Sequence, residues 1–171
     1  MTKLLRFTEV LAGPAGVTGA PAVLTLGFED RRRSRLRIRI DDGREAALML
    51  PRGTILRDGD TLRDPDSEQV VTVRAANQTL SLVRAGDTVT LARAAYHLGN
   101  RHVPVQVGAG WLAYEHDHVL DEMVAELGLR VEACIAPFEP EAGGYRHGDG
   151  ERSGGGHGHH HHHDGHEHHE H

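Results

Sequence analysis

The sequence predicts an α+β chain in three parts: a small all-β N-terminal domain over residues 1–75, a ferredoxin-like βαββαβ domain over 76–147, and a disordered histidine-rich tail over 148–171. Three observations predict it. Short period-two runs separated by glycine- and aspartate-bearing turns fill the first part. Two capped helical patterns alternate with four strand-like runs in the second. The composition then changes abruptly, because ten of the fifteen histidines lie between His157 and His171.

In the first part, Ala22-Val23-Leu24-Thr25-Leu26 is a β-rich run that follows Gly13, Pro14, Gly16, Gly19 and Pro21. Arg35-Leu36-Arg37-Ile38-Arg39-Ile40 alternates strictly, which places arginines on one face and apolar side chains on the other, as in a half-buried strand. Asp41-Asp42-Gly43 supplies a hairpin turn into Glu45-Ala46-Ala47-Leu48-Met49-Leu50. Pro51-Arg52-Gly53 and Arg57-Asp58-Gly59-Asp60 are further turns, and Thr61-Leu62 and Gln69-Val70-Val71-Thr72-Val73 read as closing strands. About six short strands with tight turns suggest a small sandwich or barrel.

The second part opens with the strand Thr79-Leu80-Ser81-Leu82-Val83. Asp87 can cap a helix over Thr88 to Leu98, and Gly99-Asn100 fits its stop because both residue types tolerate the left-handed conformation. Val103 to Val107 and Trp111 to Glu115 read as strands across the turn Gly108-Ala109-Gly110. Asp117 can cap a second helix, with Val119, Leu120, Met123, Val124 and Leu127 at helical spacing and Gly128 as the stop. Leu129 to Ile135 closes the set. The folded body is expected to end near Tyr145 to His147, because from Gly143 onward the chain is glycine-rich and polar.

Charge and motifs exclude several classes. The net charge is −6, and residues 148–171 supply −4 of it (Asp149, Glu151, Asp164, Glu167 and Glu170 against Arg152), so the body stands at −2. A strongly basic nucleic-acid footprint is absent. Arg31 to Arg39 is a basic cluster, but its alternation favours a solvated strand face, and no aromatic residues interleave to stack bases. Cys134 is the one cysteine, so no intrachain disulfide forms, and its place in a strand suggests a small buried hydrophobe. The start has no apolar signal region and no run is long enough to span a bilayer, so a cytoplasmic location without membrane partners is expected. Phosphate-loop, nucleophile-elbow and His-Glu-x-x-His patterns are all missing, and no catalytic activity is expected.

The histidines carry the chemistry. His97 and His102 flank the first helix stop, and His116 and His118 flank the second helix start. The i, i+2 spacing of the second pair puts both imidazoles on one face of extended backbone. Imidazole nitrogen suits divalent nickel, copper and zinc. Taken alone, each pair also reads as ordinary capping and polar residues. The tail shifts the balance: His157, His159, His160, His161, His162, His163, His166, His168, His169 and His171 form a metal-binding composition. A purification tag is normally an uninterrupted run, whereas Asp164, Gly165, Glu167 and Glu170 interrupt this one, so the tail is read as native.

Tyr96-His97-Leu98-Gly99-Asn100-Arg101-His102-Val103-Pro104-Val105-Gln106 resembles the signature of the UreE-type urease accessory proteins, nickel metallochaperones of urease maturation. Tyr114-Glu115-His116-Asp117-His118-Val119-Leu120-Asp121-Glu122-Met123 resembles the family's second histidine segment, and Phe138-Glu139-Pro140-Glu141-Ala142-Gly143-Gly144-Tyr145 the stretch before its tail. The resemblance covers residues from about 80 onward well. It implies a partner-contacting β domain and a nickel-binding, dimerising ferredoxin-like domain. It implies that His102 is the main ligand, shared with its twin across a homodimer axis, with His97 nearby, His116 and His118 at a peripheral site, and further ions on the tail. Glu115 stands where the family has another histidine. The implied function is delivery of Ni2+ to the urease apoprotein complex with its accessory GTPase, with Zn2+ and Cu2+ as other cations that bind. Two other readings are a nickel or zinc storage protein acting through its tail, and a metal-dependent hydrolase using the histidine pairs.

Overall fold

The computed structural model describes residues 4–11 and 21–142. The expected tail, with all ten of its histidines, and the expected end of the body near His147 lie outside the described residues. Seven strands fill the first half: β1 (Leu5–Phe7), β2 (Glu9–Leu11), β3 (Ala22–Leu26), β4 (Arg35–Arg39), β5 (Glu45–Met49), β6 (Thr61–Asp64) and β7 (Gln69–Ala75). They make two sheets, ordered β1-β5-β4 and β2-β6-β7-β3. Both turn their apolar faces to one core that includes Phe7, Leu24, Ile38, Leu48, Leu62 and Val71. On β4 the alternation holds: Ile38 is buried, Leu36 is half-buried and the three arginines are exposed.

One element here was not expected. The four-residue helix α1 (Phe28–Arg31) follows β3. Phe28 leaves the first core and packs edge-on against Phe138, with ring centroids 5.5 Å apart. Phe28, Leu80, Ala113 and Phe138 form a core of their own. Arg31 is fully buried. Its guanidinium donates to the backbone oxygen of Leu56 at 3.0 Å, to the oxygen of Phe138 and to the carboxylate of Glu139. Arg57 donates to the oxygen of Pro140 at 2.7 Å and pairs with the other oxygen of Glu139. The two terminal nitrogens of this buried guanidinium are bonded while Nε has no partner among the described residues, and those bonds tie the first half of the chain to the segment after the last strand.

The second half is β8 (Asn77–Arg84), α2 (Thr88–Asn100), β9 (Val105–Gly108), β10 (Trp111–Glu115), α3 (His118–Glu126) and β11 (Val131–Pro137). The sheet order β11-β8-β10-β9, with every neighbouring pair antiparallel, is the ferredoxin-like arrangement. Val83, Leu112 and Tyr114 face the helices and pack with Leu91, Ala94, Leu98 and Val124. The opposite face meets Phe28 and Phe138. Gly108 sits opposite Trp111, and a Cβ there would lie 2.1 Å from the indole, so the strand needs glycine at that point.

Three expectations need correction. Gly99 and Asn100 do not stop α2: the helix runs through Asn100, and the left-handed residue is His102. Val119 was expected on the apolar face of α3 but is half exposed, while Leu120, Met123 and Leu127 pack on the core. Cys134 is partly rather than fully buried, because β11 is an edge strand of its sheet.

Replacing Arg31 with alanine removes the guanidinium from the Leu56 and Phe138 carbonyls and one of the donors to Glu139, which keeps Arg57 and the Asp58 N–H. We expect a loss of about 2–3 kcal/mol in urea unfolding, below the roughly 3–5 of a fully enclosed pair because Glu139 keeps some solvent. A loss under about 0.5 kcal/mol, the range of ordinary surface substitutions, contradicts the cluster's role. Asp87 caps α2 through the N–H groups of Val89 and Thr90. The Thr90 hydroxyl, then those N–H groups, hold its carboxyl below the ordinary carboxylate range. A depressed folded value contributes stability above the ordinary range and loses it as pH falls through the lowered one. Asp87→Ala is therefore expected to weaken the fold at neutral pH and to flatten its acid dependence, both read by circular dichroism.

Candidate metal centre

Residues Leu98 to Val103 decide where His102 stands. His102 N–H donates to the oxygen of Gly99 at 2.9 Å, and Val103 N–H donates to the oxygen of Leu98 at 3.1 Å. This pair of bonds is the Schellman helix end, with Arg101 as C-cap and His102 at the position glycine usually takes. His102 has φ 57. The left-handed region costs an L-residue roughly 1–2 kcal/mol, and histidine visits it more than most. The turn completes because Val103 packs into the core that holds Leu98. The His102 side chain is exposed. It stands at the C-terminal end of a thirteen-residue helix, where the unpaired carbonyls favour a cation.

His97 lies one turn back in the same helix, exposed, its ring edge-on to Tyr96 with centroids 5.5 Å apart. The exposed side of α2 carries an apolar stripe at i, i+3, i+7: Val89 is 60% and Tyr96 65% exposed, with Ala92 between them. A cavity of about 420 Å³ runs beside it, lined by Leu91, Ala92, Ala95, Val107 and Leu112 among others.

His116 follows β10, and its N–H continues the ladder to the oxygen of Thr79 at 3.1 Å. Its Nδ1 lies 3.0 Å from the hydroxyl of Ser81 and 3.1 Å from Asp121 Oδ2. The other oxygen of Asp121 accepts from the Tyr114 hydroxyl at 2.8 Å. Burial, then that hydrogen bond, holds the Tyr114 phenol well above the ordinary range, so it remains a donor. Ser81 and Asp121 approach the same ring nitrogen, and Ser81 is fully buried. That is not the layout of an activated serine, in which base and orienting acid use opposite nitrogens. Asp117 spends its carboxylate capping α3 at the N–H groups of Val119 and Leu120, so it is not aimed between His116 and His118. His118 is exposed at the first turn of α3.

The register gathers these groups at one end of the sheet. Val105 opens β9 opposite Tyr114 near the end of β10, so His102 and His116 both adjoin that end. Among the described residues, no three of histidine, cysteine, aspartate and glutamate gather closely enough to hold a metal ion. The described residues therefore offer single imidazoles, and a cation bound at one of them would need its other ligands from elsewhere. Sequence reasoning missed Ser81 and Asp121 as partners of His116, and Tyr114 as the partner of Asp121. The strand register, which pairs Tyr114 with Ser81, points to Ser81 alone.

Two family models match the chain. The C-terminal domain of the UreE urease accessory protein matches residues 68–171, and its N-terminal domain matches residues 9–76. The urease accessory protein UreE of Pseudomonas putida strain W619 is 59% identical over 123 residues, which is 72% of this chain and 76% of that protein. The protein of the same name from Pseudomonas putida strain GB-1 is 52% identical over 143 residues, covering 84% and 86%. That of Alkalilimnicola ehrlichii is 55% identical over 142 residues, covering 83% and 85%.

If the left-handed turn carries strain for the sake of the imidazole, His102→Gly relieves it. Stability is expected to rise by about 0.5–1 kcal/mol, the left-handed penalty less glycine's extra chain entropy. Thermal unfolding checks this, and a clear loss of stability would show that the imidazole itself props up the turn.

Proposed function

The chain belongs to the UreE family of urease accessory proteins, and from that premise we propose that it carries nickel to apo-urease while the urease active site is assembled. The observation that carries the proposal is His102, an exposed imidazole fixed at the carbonyl end of α2 in a conformation usually left to glycine. A carrier must release its ion. A site made of few imidazoles and completed by a second subunit is open compared with a closed four-cysteine site. The exposed stripe Val89, Ala92 and Tyr96 supports pairing of two copies through α2, and a twofold parallel to the helix would bring two His102 rings to one cation. His97, five residues back on the exposed side of α2, is a further candidate ligand.

In this reading the three-part division seen in the sequence corresponds to labour: residues 1–75 contact partner proteins, 76–147 bind nickel and dimerise, and 148–171 add capacity. The chain hands over metal without turnover of its own, in the cytoplasm, with the urease apoprotein complex and an accessory GTPase as partners. Copper binds such ligands more tightly than nickel, so supply and docking, rather than affinity, select the metal. The ten tail histidines favour a second reading, nickel or zinc storage.

Calorimetry separates the two. With residues 148–171 deleted, about one nickel ion per dimer is expected to bind in the micromolar range, and His102→Ala is expected to abolish that binding. Unchanged stoichiometry in the variant overturns the carrier site. Urease activation that collapses on tail deletion alone favours storage.

A further inference from the structure

Imidazole has two nitrogens, and which one a metal meets depends on which one keeps the proton. At His116 the surroundings decide this. The ring is 43% exposed, so one edge meets solvent, while Nδ1 faces inward. There it lies against Asp121 Oδ2 at 3.1 Å and the buried Ser81 hydroxyl at 3.0 Å. The carboxylate is pinned from its other side, because Oδ1 accepts from the fully buried Tyr114. Asp121, from the first turn of α3, and Ser81, from β8, both reach that ring nitrogen, while Tyr114 of β10, which faces Ser81, holds Asp121 from behind. A carboxylate oxygen can only accept. A lone pair on Nδ1 would repel it, so the proton belongs on Nδ1 and the lone pair on Nε2 at the opposite, exposed edge.

We propose that Asp121 is the positioning residue of His116: it takes the Nδ1 proton in a hydrogen bond, fixes the ring plane with the help of Tyr114 and Ser81, and leaves Nε2 as the nitrogen offered to a divalent cation. This deepens the nickel-carrying reading above and rests on it. A carboxylate behind a ligating imidazole fixes its tautomer and raises its basicity, and its loss costs roughly 10–100-fold in metal affinity. No such carboxylate stands behind His97, His102 or His118 among the contacts of the described residues. His116 is thus the one pre-oriented imidazole of the four, a separate station at the same end of the sheet as His102.

The test uses the full-length chain with 15N-labelled histidine, read by nuclear magnetic resonance at about pH 8, above the ordinary imidazole range. Metal-free His116 is expected as the Nδ1–H tautomer. Asp121→Asn keeps the shape of the side chain. The Tyr114 hydroxyl then holds the amide oxygen and turns the amide N–H toward Nδ1, which moves the ring proton to Nε2. The nickel concentration that broadens the His116 signal is expected to rise about ten-fold or more in the variant, while that for His102 is unchanged. A wild-type His116 in the Nε2–H form overturns the proposal, and this needs no variant to fold. So does an Asp121→Asn chain with the same tautomer and the same nickel midpoint. In the wild type, nickel that reaches His102 and never His116 overturns this proposal alone. Nickel that reaches His116 and never His102 overturns the carrier site alone.

Discussion

Helix α2 ends on a histidine held at φ 57, and the carbonyls of Leu98 and Gly99 are what hold it there. The hydrogen bond from Val103 to Leu98 closes the turn only because both side chains lie in the core between helices and sheet. Burial of Leu91, Ala94 and Leu98 offsets the left-handed penalty at His102. The same turn starts β9, so the backbone that aims the imidazole also sets the edge of the sheet. A flexible loop could present a histidine at less cost, but it would not present it at the end of a helix whose carbonyls favour positive charge.

The sheet beneath is held on both faces, which keeps that turn in place. Helices cover one side, and Phe28 and Phe138 the other, with Arg31 bonded to backbone and to Glu139. Glu139 in turn takes the N–H of Asp58 and gives its own N–H to Gln106 of β9. A firm platform with exposed single imidazoles suits an ion that is held briefly. In the proposed reading the two demands are separate, since the cores are built from apolar side chains and the candidate imidazoles stand outside them.

Much of this was legible in the chain. The strict alternation at Arg35 to Ile40, the cap residues Asp87 and Asp117 and the stop at Gly128 each encode local geometry, and the structure follows them. The family likewise followed from the Gly-Asn-Arg-His segment and its flanks. Where reading failed, the cause was tertiary. Gly99 and Asn100 looked like a helix stop by propensity, yet packing of Val103 moved the stop to a histidine. Helix α1 is too short to show a period, and it exists because Phe28 and Arg31 find partners more than a hundred residues away in Phe138 and Glu139. Asp121 looked like one polar residue among several on α3. Its meeting with His116 and Tyr114 depends on how α3 turns back from the end of β10, and the approach of Ser81 on the strand register, neither of which periodicity shows.

Anomalous diffraction at the nickel edge, from crystals of the nickel-loaded chain, tests the central claim most directly. The expected result is a nickel peak on a twofold axis between two chains, with a His102 nitrogen from each within bonding distance. Nickel found away from His102, or two His102 rings facing apart with no shared ion, would contradict it.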